Sequence, residues 1–135
     1  MKKYANFTVN SFSMAKISFT GCAATPENFE LYLNEIKQLY DNKDKIALIF
    51  DATNAAFPSV KYQKLQAQWF KDNETIIKTY CAGTAYIIPN ILLRNVLQTI
   101  FKYYEQPVEY MVCKTVEEAK IWTFEKLKKF EIVLM

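Results

Sequence analysis

Asp51 closes an unbroken apolar run, Ile46 to Phe50, and is followed by a polar stretch, Ala52 to Pro58, and by Ser59 at the start of a helical pattern. A carboxylate in that place can bind a ligand, orient a partner or act as a base. Thr53 and Asn54 add polar groups beside it. Phe57 is an apolar side chain in a polar loop, and its exposure would point to contact with a partner. Asp51 also has a plain structural role, accepting from the loop amides of Ala52 to Asn54, as acids after strands often do. The chain has no His, and no second acid lies nearby in sequence, so no general acid–base pair can be read here. Ser59 offers a hydroxyl at a helix start. A phosphate there would add roughly −2 charge where the helix dipole accepts it, whereas an ordinary N-cap at the same place is worth about 1 kcal/mol. Asn90 and Thr115 begin two further helical patterns. With Ser59 they are expected to bring three helix starts to one sheet edge, an arrangement that can hold an anion or simply cap three helices. Arg94, the only arginine, lies one turn into the Asn90 helix and either adds charge to that edge or makes a surface ion pair.

Several chemistries lack their residues. Gly21 and Gly83 are the only glycines, so there is no glycine-rich phosphate loop or dinucleotide fingerprint. Without His there is no Ser-His-acid or Cys-His set. Cys22, Cys81 and Cys113 form no CxxC pair, no metal site is expected, and each thiol reads as free and buried in or beside a strand. Free thiols point to a reducing compartment, here the cytoplasm. The net charge of +3 comes from scattered lysines, which argues against nucleic acid. No run reaches the roughly 18 apolar residues of a membrane span, and the N-terminus has no apolar signal core.

The positioning elements follow from periodicity and punctuation. Tyr4 to Phe12 and Ala15 to Cys22 read as a strand pair joined by a short turn, with Ala15, Ile17 and Phe19 on one face of the second strand. Thr25-Pro26-Glu27 starts a helix carrying Phe29, Leu33, Ile36 and Tyr40. Ile46 to Phe50 suits a central strand covered on both faces. One helix then carries Tyr62, Leu65, Trp69, Ile76 and Ile77. Tyr80 to Pro89 is a fourth strand, in which Gly83 marks a bulge or a close approach. A helix from Asn90 turns Leu93, Val96, Leu97, Ile100, Phe101 and Tyr104 inward. Val108 to Cys113 is a fifth strand, and a capping box at Thr115 to Glu118 opens a last helix running to about Lys129. The apolar tail Ile132 to Met135 would pack back on the domain or meet a partner. The expectation is one α/β domain over residues 1–135 in the order β-β-α-β-α-β-α-β-α, with a five-stranded mixed sheet, an N-terminal hairpin, mostly parallel strands after it, and four helices.

The segments FTG at Phe19 to Gly21, IALIFDAT at Ile46 to Thr53, the pair Trp69-Phe70, AYIIPN at Ala85 to Asn90 and TVEEAKIW at Thr115 to Trp122 together resemble the STAS fold. Within it the chain looks most like the SpoIIAA-like group of small bacterial proteins, which are related in shape to lipid-transfer domains. The resemblance covers nearly the whole chain and rests mostly on packing and capping residues. It implies a regulatory role. Sigma-factor antagonists of this kind carry a phosphorylated Ser in an Asp-Ser-Ser-Gly-type turn after the central strand. The nearest match here is Ser59, with Pro58 before it, Val60 after it and no Gly.

The resulting expectation is a non-enzymatic regulatory or binding module, without cofactor, acting on a protein partner through Asp51, Thr53, Asn54, Phe57, Ser59, Asn90, Arg94 and Thr115. The alternative is a carrier of a small apolar or lipid-like ligand, because aromatics such as Trp69, Phe70, Tyr103, Tyr104 and Trp122 can line a cavity as well as fill a core. The high apolar content also allows a homodimer.

Overall fold

The computed structural model describes residues 1–134, with side chains as far as Phe130. Strands β1 (Ala5–Val9) and β2 (Met14–Phe19) form the antiparallel hairpin. Its turn is tied by Asn10, whose Oδ1 accepts from the amides of Phe12 at 2.9 Å and Met14 at 3.1 Å. Helix α1 (Pro26–Gln38) opens with a complete reciprocal cap. The Thr25 hydroxyl accepts from the Asn28 amide at 3.1 Å, and Asn28 Oδ1 accepts from the Thr25 amide at 2.8 Å. The chain continues through β3 (Ile46–Asp51), α2 (Val60–Asp72), α3 (Glu74–Tyr80), β4 (Cys81–Ile87), α4 (Ile91–Tyr103), β5 (Tyr110–Cys113) and α5 (Val116–Leu134).

Five helices therefore replace the expected four. The single helix expected after Ser59 is broken at Asn73, whose backbone (φ −112°, ψ 17°) leaves the helical region. Its side-chain amide donates to the Trp69 carbonyl at 2.9 Å, an alternative to the helix ladder that Asn offers readily. Four further expectations need correction. Leu65 faces solvent, and Cys22 is only partly buried, while Cys81 and Cys113 are in the core; all three thiols are free. Tyr80 ends α3 rather than starting β4, and α5 runs past Lys129 to Leu134. The expected packing of the Ile132 to Met135 side chains lies outside the described residues. Among the described residues no helix is long and apolar enough to cross a membrane.

The five strands lie in sequential order, β1-β2-β3-β4-β5, with β2 to β5 mutually parallel. That order has a geometric consequence. Right-handed crossovers that all step in the same direction put their helices on the same face. The crossover helices α1, α2, α3 and α4 accordingly share one core with Ala15, Ile17, Leu48, Phe50 and Tyr86. The opposite face would be bare, and α5 covers it, packing Ala119 and Trp122 on Ile49, Ala85, Ile87 and Cys113, and Leu127 on Met14 and Ala47. β3, in the middle, is buried on both faces from Ile46 to Phe50, which is why its sequence shows no alternation.

Gly83 seats α5. A Cβ there would lie 2.9 Å from the Trp122 ring, and the strand pairing shifts by one residue beside it, between Ile46 and Ala47. Gly83→Ala is therefore expected to destabilise the fold by about 1–3 kcal/mol through overpacking. Trp122→Leu in the same chain should recover part of the loss. Urea denaturation of the two singles and the double checks the coupling, and strictly additive effects would contradict this seating.

Candidate functional site

The carboxyl edge of the sheet assembles much as the sequence implies. Asp51 pairs in register with Ile87, and Ile87 with Cys113, so the ends of β3, β4 and β5 lie in one row. Asn90 and Thr115 follow within three residues of that row. At each position the side chain turns out to be largely occupied. Asp51 Oδ1 accepts from the Thr53 amide at 3.0 Å and the Thr53 hydroxyl at 2.6 Å, and Oδ2 lies 3.7 Å from Lys16 Nζ. Asn90 Oδ1 accepts from the Leu92 amide at 2.8 Å. Thr115 Oγ1 accepts from the Glu118 amide and meets the Glu118 carboxylate, both at 3.2 Å, which is half of the expected capping box. Arg94 donates from Nε to the Ile88 carbonyl at 2.9 Å, and no ion pair to it is found among the described residues.

Ser59 differs from these. It stands at the N-cap of α2, but its exposed hydroxyl makes no capping bond. Thr53, Asn54 and Phe57 are exposed as well, Phe57 at 56%. The Asn54 carbonyl supports the neighbouring loop closely, because a Cβ on Gly21 would come within 2.9 Å of it and Gly21 itself has φ +91°. Exposed Val60, Ile91 and Leu92 extend the apolar character of this rim.

The two faces of β3 then divide the predicted residues. Side chains alternate along a strand, so Asp51 shares the α5 face with Ile49, whereas Phe50 belongs to the core under the crossover helices. Asp51, Arg94 and Glu118 act electrostatically on Cys113 on the α5 side. Burial above all, and then Glu118, raises the Cys113 thiol above its ordinary range, as expected of a thiol in apolar surroundings. Burial likewise raises Cys81.

The other face holds a feature the edge residues do not reveal. Between the sheet and helices α1, α2 and α4 lies an apolar pocket of about 90 Å³. Its floor includes rings from three adjacent strands, Phe19, Phe50 and Tyr86, stacked at centroid distances of 6.1 and 5.3 Å. Phe29 and Tyr32 of α1, Tyr62, Gln66 and Phe70 of α2, and Leu93 and Leu97 of α4 contribute to the walls. Ala52, Ala55, Ala56 and Pro58 of the β3–α2 loop line it too, so exposed Phe57 stands between two lining residues, and exposed Leu92 adjoins a third. Of the predicted aromatics only Phe70 lines the pocket. Trp69 packs against the main core, Trp122 belongs to α5 and packs on the opposite face of the sheet, and Tyr103 is exposed.

Two buried glutamines of α2 are the site residues that the sequence reading missed. Tyr32 donates its hydroxyl to Gln66 Oε1 at 2.7 Å, and Gln63 Nε2 donates to the Pro58 carbonyl at 2.9 Å, tying the loop to the helix. Each is 8% exposed, and each keeps one buried amide atom without a partner. A signal was present: two glutamines three residues apart sit on the same stripe as Tyr62 and Phe70, where an amphipathic helix normally places apolar side chains.

Comparison with family models, with curated proteins and with solved structures gives no match in any of the three. The reading of the site therefore rests on its own geometry.

The pocket is lined by uncharged groups. Burial pushes the Tyr4 hydroxyl up to about 12 and raises Tyr32 and Tyr86 well above their ordinary value. Each of these groups titrates at higher pH folded than unfolded, so its contribution to stability is complete below pH about 10 and is lost as pH rises through the folded value. Ellipticity is accordingly expected to hold to about pH 10. Above that pH, tyrosinate absorbance from the buried rings should rise together with unfolding. Titration of all nine tyrosines with the ellipticity unchanged would contradict the burial of Tyr4, Tyr32 and Tyr86.

Proposed function

We propose that this chain is a non-enzymatic binding module with a STAS-like architecture that accommodates a small apolar molecule between its crossover helices and its sheet. The observation that carries this reading is the pocket itself, walled by aromatic and aliphatic side chains from six elements, β2, β3, β4, α1, α2 and α4, and lined as well by the β3–α2 loop. Its size limits the ligand. Counting roughly 10–15 Å³ for each water-sized body, 90 Å³ holds on the order of seven heavy atoms. A ring or a short branched chain fits. A full acyl chain needs α2 to move, since drug-sized sites start at roughly 300 Å³. The free thiols support a reducing, cytoplasmic setting.

Native mass spectrometry of the protein purified from its own cells is expected to show a fraction with extra bound mass. Val96→Trp, which adds a large ring to a pocket wall on α4, should reduce that fraction at least about tenfold, the effect of roughly 1.4 kcal/mol of overpacking. Identical spectra for the two proteins would refute the assignment of the ligand to this pocket.

A second reading, contact with a protein partner at the carboxyl edge, is favoured by one observation: Phe57, Val60, Ile91 and Leu92 are exposed around helix starts, and Ser59 beside them has a free-standing hydroxyl. A photo-crosslinking side chain at position 57 should yield discrete protein adducts in cells, and the same group at exposed Lys120 on α5 should not. Equal patterns at the two positions would remove this reading.

A further inference from the structure

Helices α2 and α4 pack on each other over the pocket, with Phe70 against Phe101 and Lys64 Nζ 5.4 Å from the centre of the Tyr103 ring. Their solvent side has two unusual properties. It is apolar: Phe57, Val60, Ile91 and Leu92 at the two helix starts are each at least 53% exposed, and Leu65 and Tyr103 are exposed further along. It is also positive and free of acids. Residues 52–71 and 88–104 contain Lys61, Lys64, Lys71, Arg94 and Lys102, and not one Asp or Glu. Asp72, just beyond, accepts from Gln68 at 2.7 Å, and Asp51, just before, lies on the α5 side with Lys16. The first turns of α2 and α4 lack acids, so the partial positive charges of the helix N-termini add to the same sign. The other long helices mix charges: α1 has Glu27, Glu30 and Glu35 beside Lys37, and α5 has Glu117, Glu118 and Glu125 among its lysines.

We propose that the α2–α4 surface docks on an anionic lipid bilayer. Phe57, Val60, Ile91 and Leu92 enter the interface, and the lysines stay with the headgroups while their stems lie along the apolar layer. Clustered exposed apolar side chains mark a contact with either a protein or a membrane, and two observations favour the membrane. Protein interfaces are depleted in lysine, whereas here Lys61 directly follows Val60, and Lys64 directly precedes Leu65. The same two helices also cover the apolar pocket, and a bilayer is where small apolar molecules concentrate. The choice of a lipid over a protein surface therefore rests in part on the pocket reading above. The docking itself needs only the side chains on the solvent side.

Cosedimentation with vesicles of phosphatidylcholine alone, and of phosphatidylcholine mixed with phosphatidylserine, tests the proposal. The wild-type chain is expected to bind the anionic vesicles at least about tenfold more tightly than the neutral ones, because each lysine near such a surface adds to the attraction. That preference should fade at high salt. Lys61→Glu/Lys64→Glu should weaken binding to the anionic vesicles at least about tenfold. Lys120→Glu/Lys129→Glu makes the same change in net charge on the solvent side of α5 and should retain binding. Phe57→Ser/Leu92→Ser should weaken binding about tenfold by removing the inserted apolar area. Ellipticity checks that each variant is folded, and the comparison of the two vesicle types on wild type stands without any variant. Equal binding of wild type to both vesicle types, or equal loss from the α2 and α5 charge reversals, overturns the assignment. No binding to the anionic vesicles also overturns it, and protein adducts from position 57 would then give the same surface to a protein partner. Native mass spectra that still show a bound ligand would in that case leave the pocket reading standing. Vesicle binding lost through α2 alone, with no ligand mass in those spectra, upholds docking while the pocket reading falls.

Discussion

The rest of the molecule depends on β3 being covered on both faces. A strand with neighbours on each side and helices above and below has no wet face, so every side chain from Ile46 to Phe50 must be apolar. The alternation along β3 then distributes function. Leu48 and Phe50 belong to the core beneath the crossover helices, and Ile49 belongs to the layer under α5. Asp51 is the first position where the strand meets water. Its carboxylate is committed to Thr53 and Lys16, which fixes the start of the β3–α2 loop. That loop carries Ala55, Ala56 and Pro58 onto the pocket. A structural acid on one face of the strand thus sets the backbone course that shapes a binding space on the other.

Much of this was legible in the residues. The hairpin, the central apolar strand, the parallel strands after it and the N-caps at Thr25, Asn90 and Thr115 all follow from local signals whose physics is short-ranged. Gly83 was readable as a close approach, although only the fold names Trp122 as the neighbour. The break between α2 and α3 was not legible, because Asn73 is a tolerable helix residue. What ends the helix is its side chain bonding back to the Trp69 carbonyl, a choice that packing decides.

The pocket was the least visible feature, and the reason is physical. A cavity is a shortfall of packing among elements far apart in sequence, and no periodicity encodes it. The sequence supplies aromatic and aliphatic side chains, but whether they close on one another or stand apart depends on where α2 rides relative to the sheet. Gln63 and Gln66 were the exception. Polar residues on the buried stripe of a helix break the binary pattern, and departures from that pattern gather at places with a purpose beyond stability. The predicted edge residues, by contrast, were found mostly engaged in caps and turns, with Ser59 and Phe57 the notable ones left facing solvent.

The sequential strand order has one more consequence, which concerns biogenesis. The crossover helices α1, α2, α3 and α4 are each made between the strands they join, so the first layer of the domain can condense as the chain is synthesised. The layer on the far face has no such local supplier. Ile49, Ala85 and Ile87 wait uncovered until Val116–Leu134 has cleared the ribosome. For that interval the nascent molecule presents an apolar sheet surface to its surroundings, which is the kind of surface that chaperones hold. Docking of the closing helix is therefore the step that removes this apolar surface from contact with its surroundings.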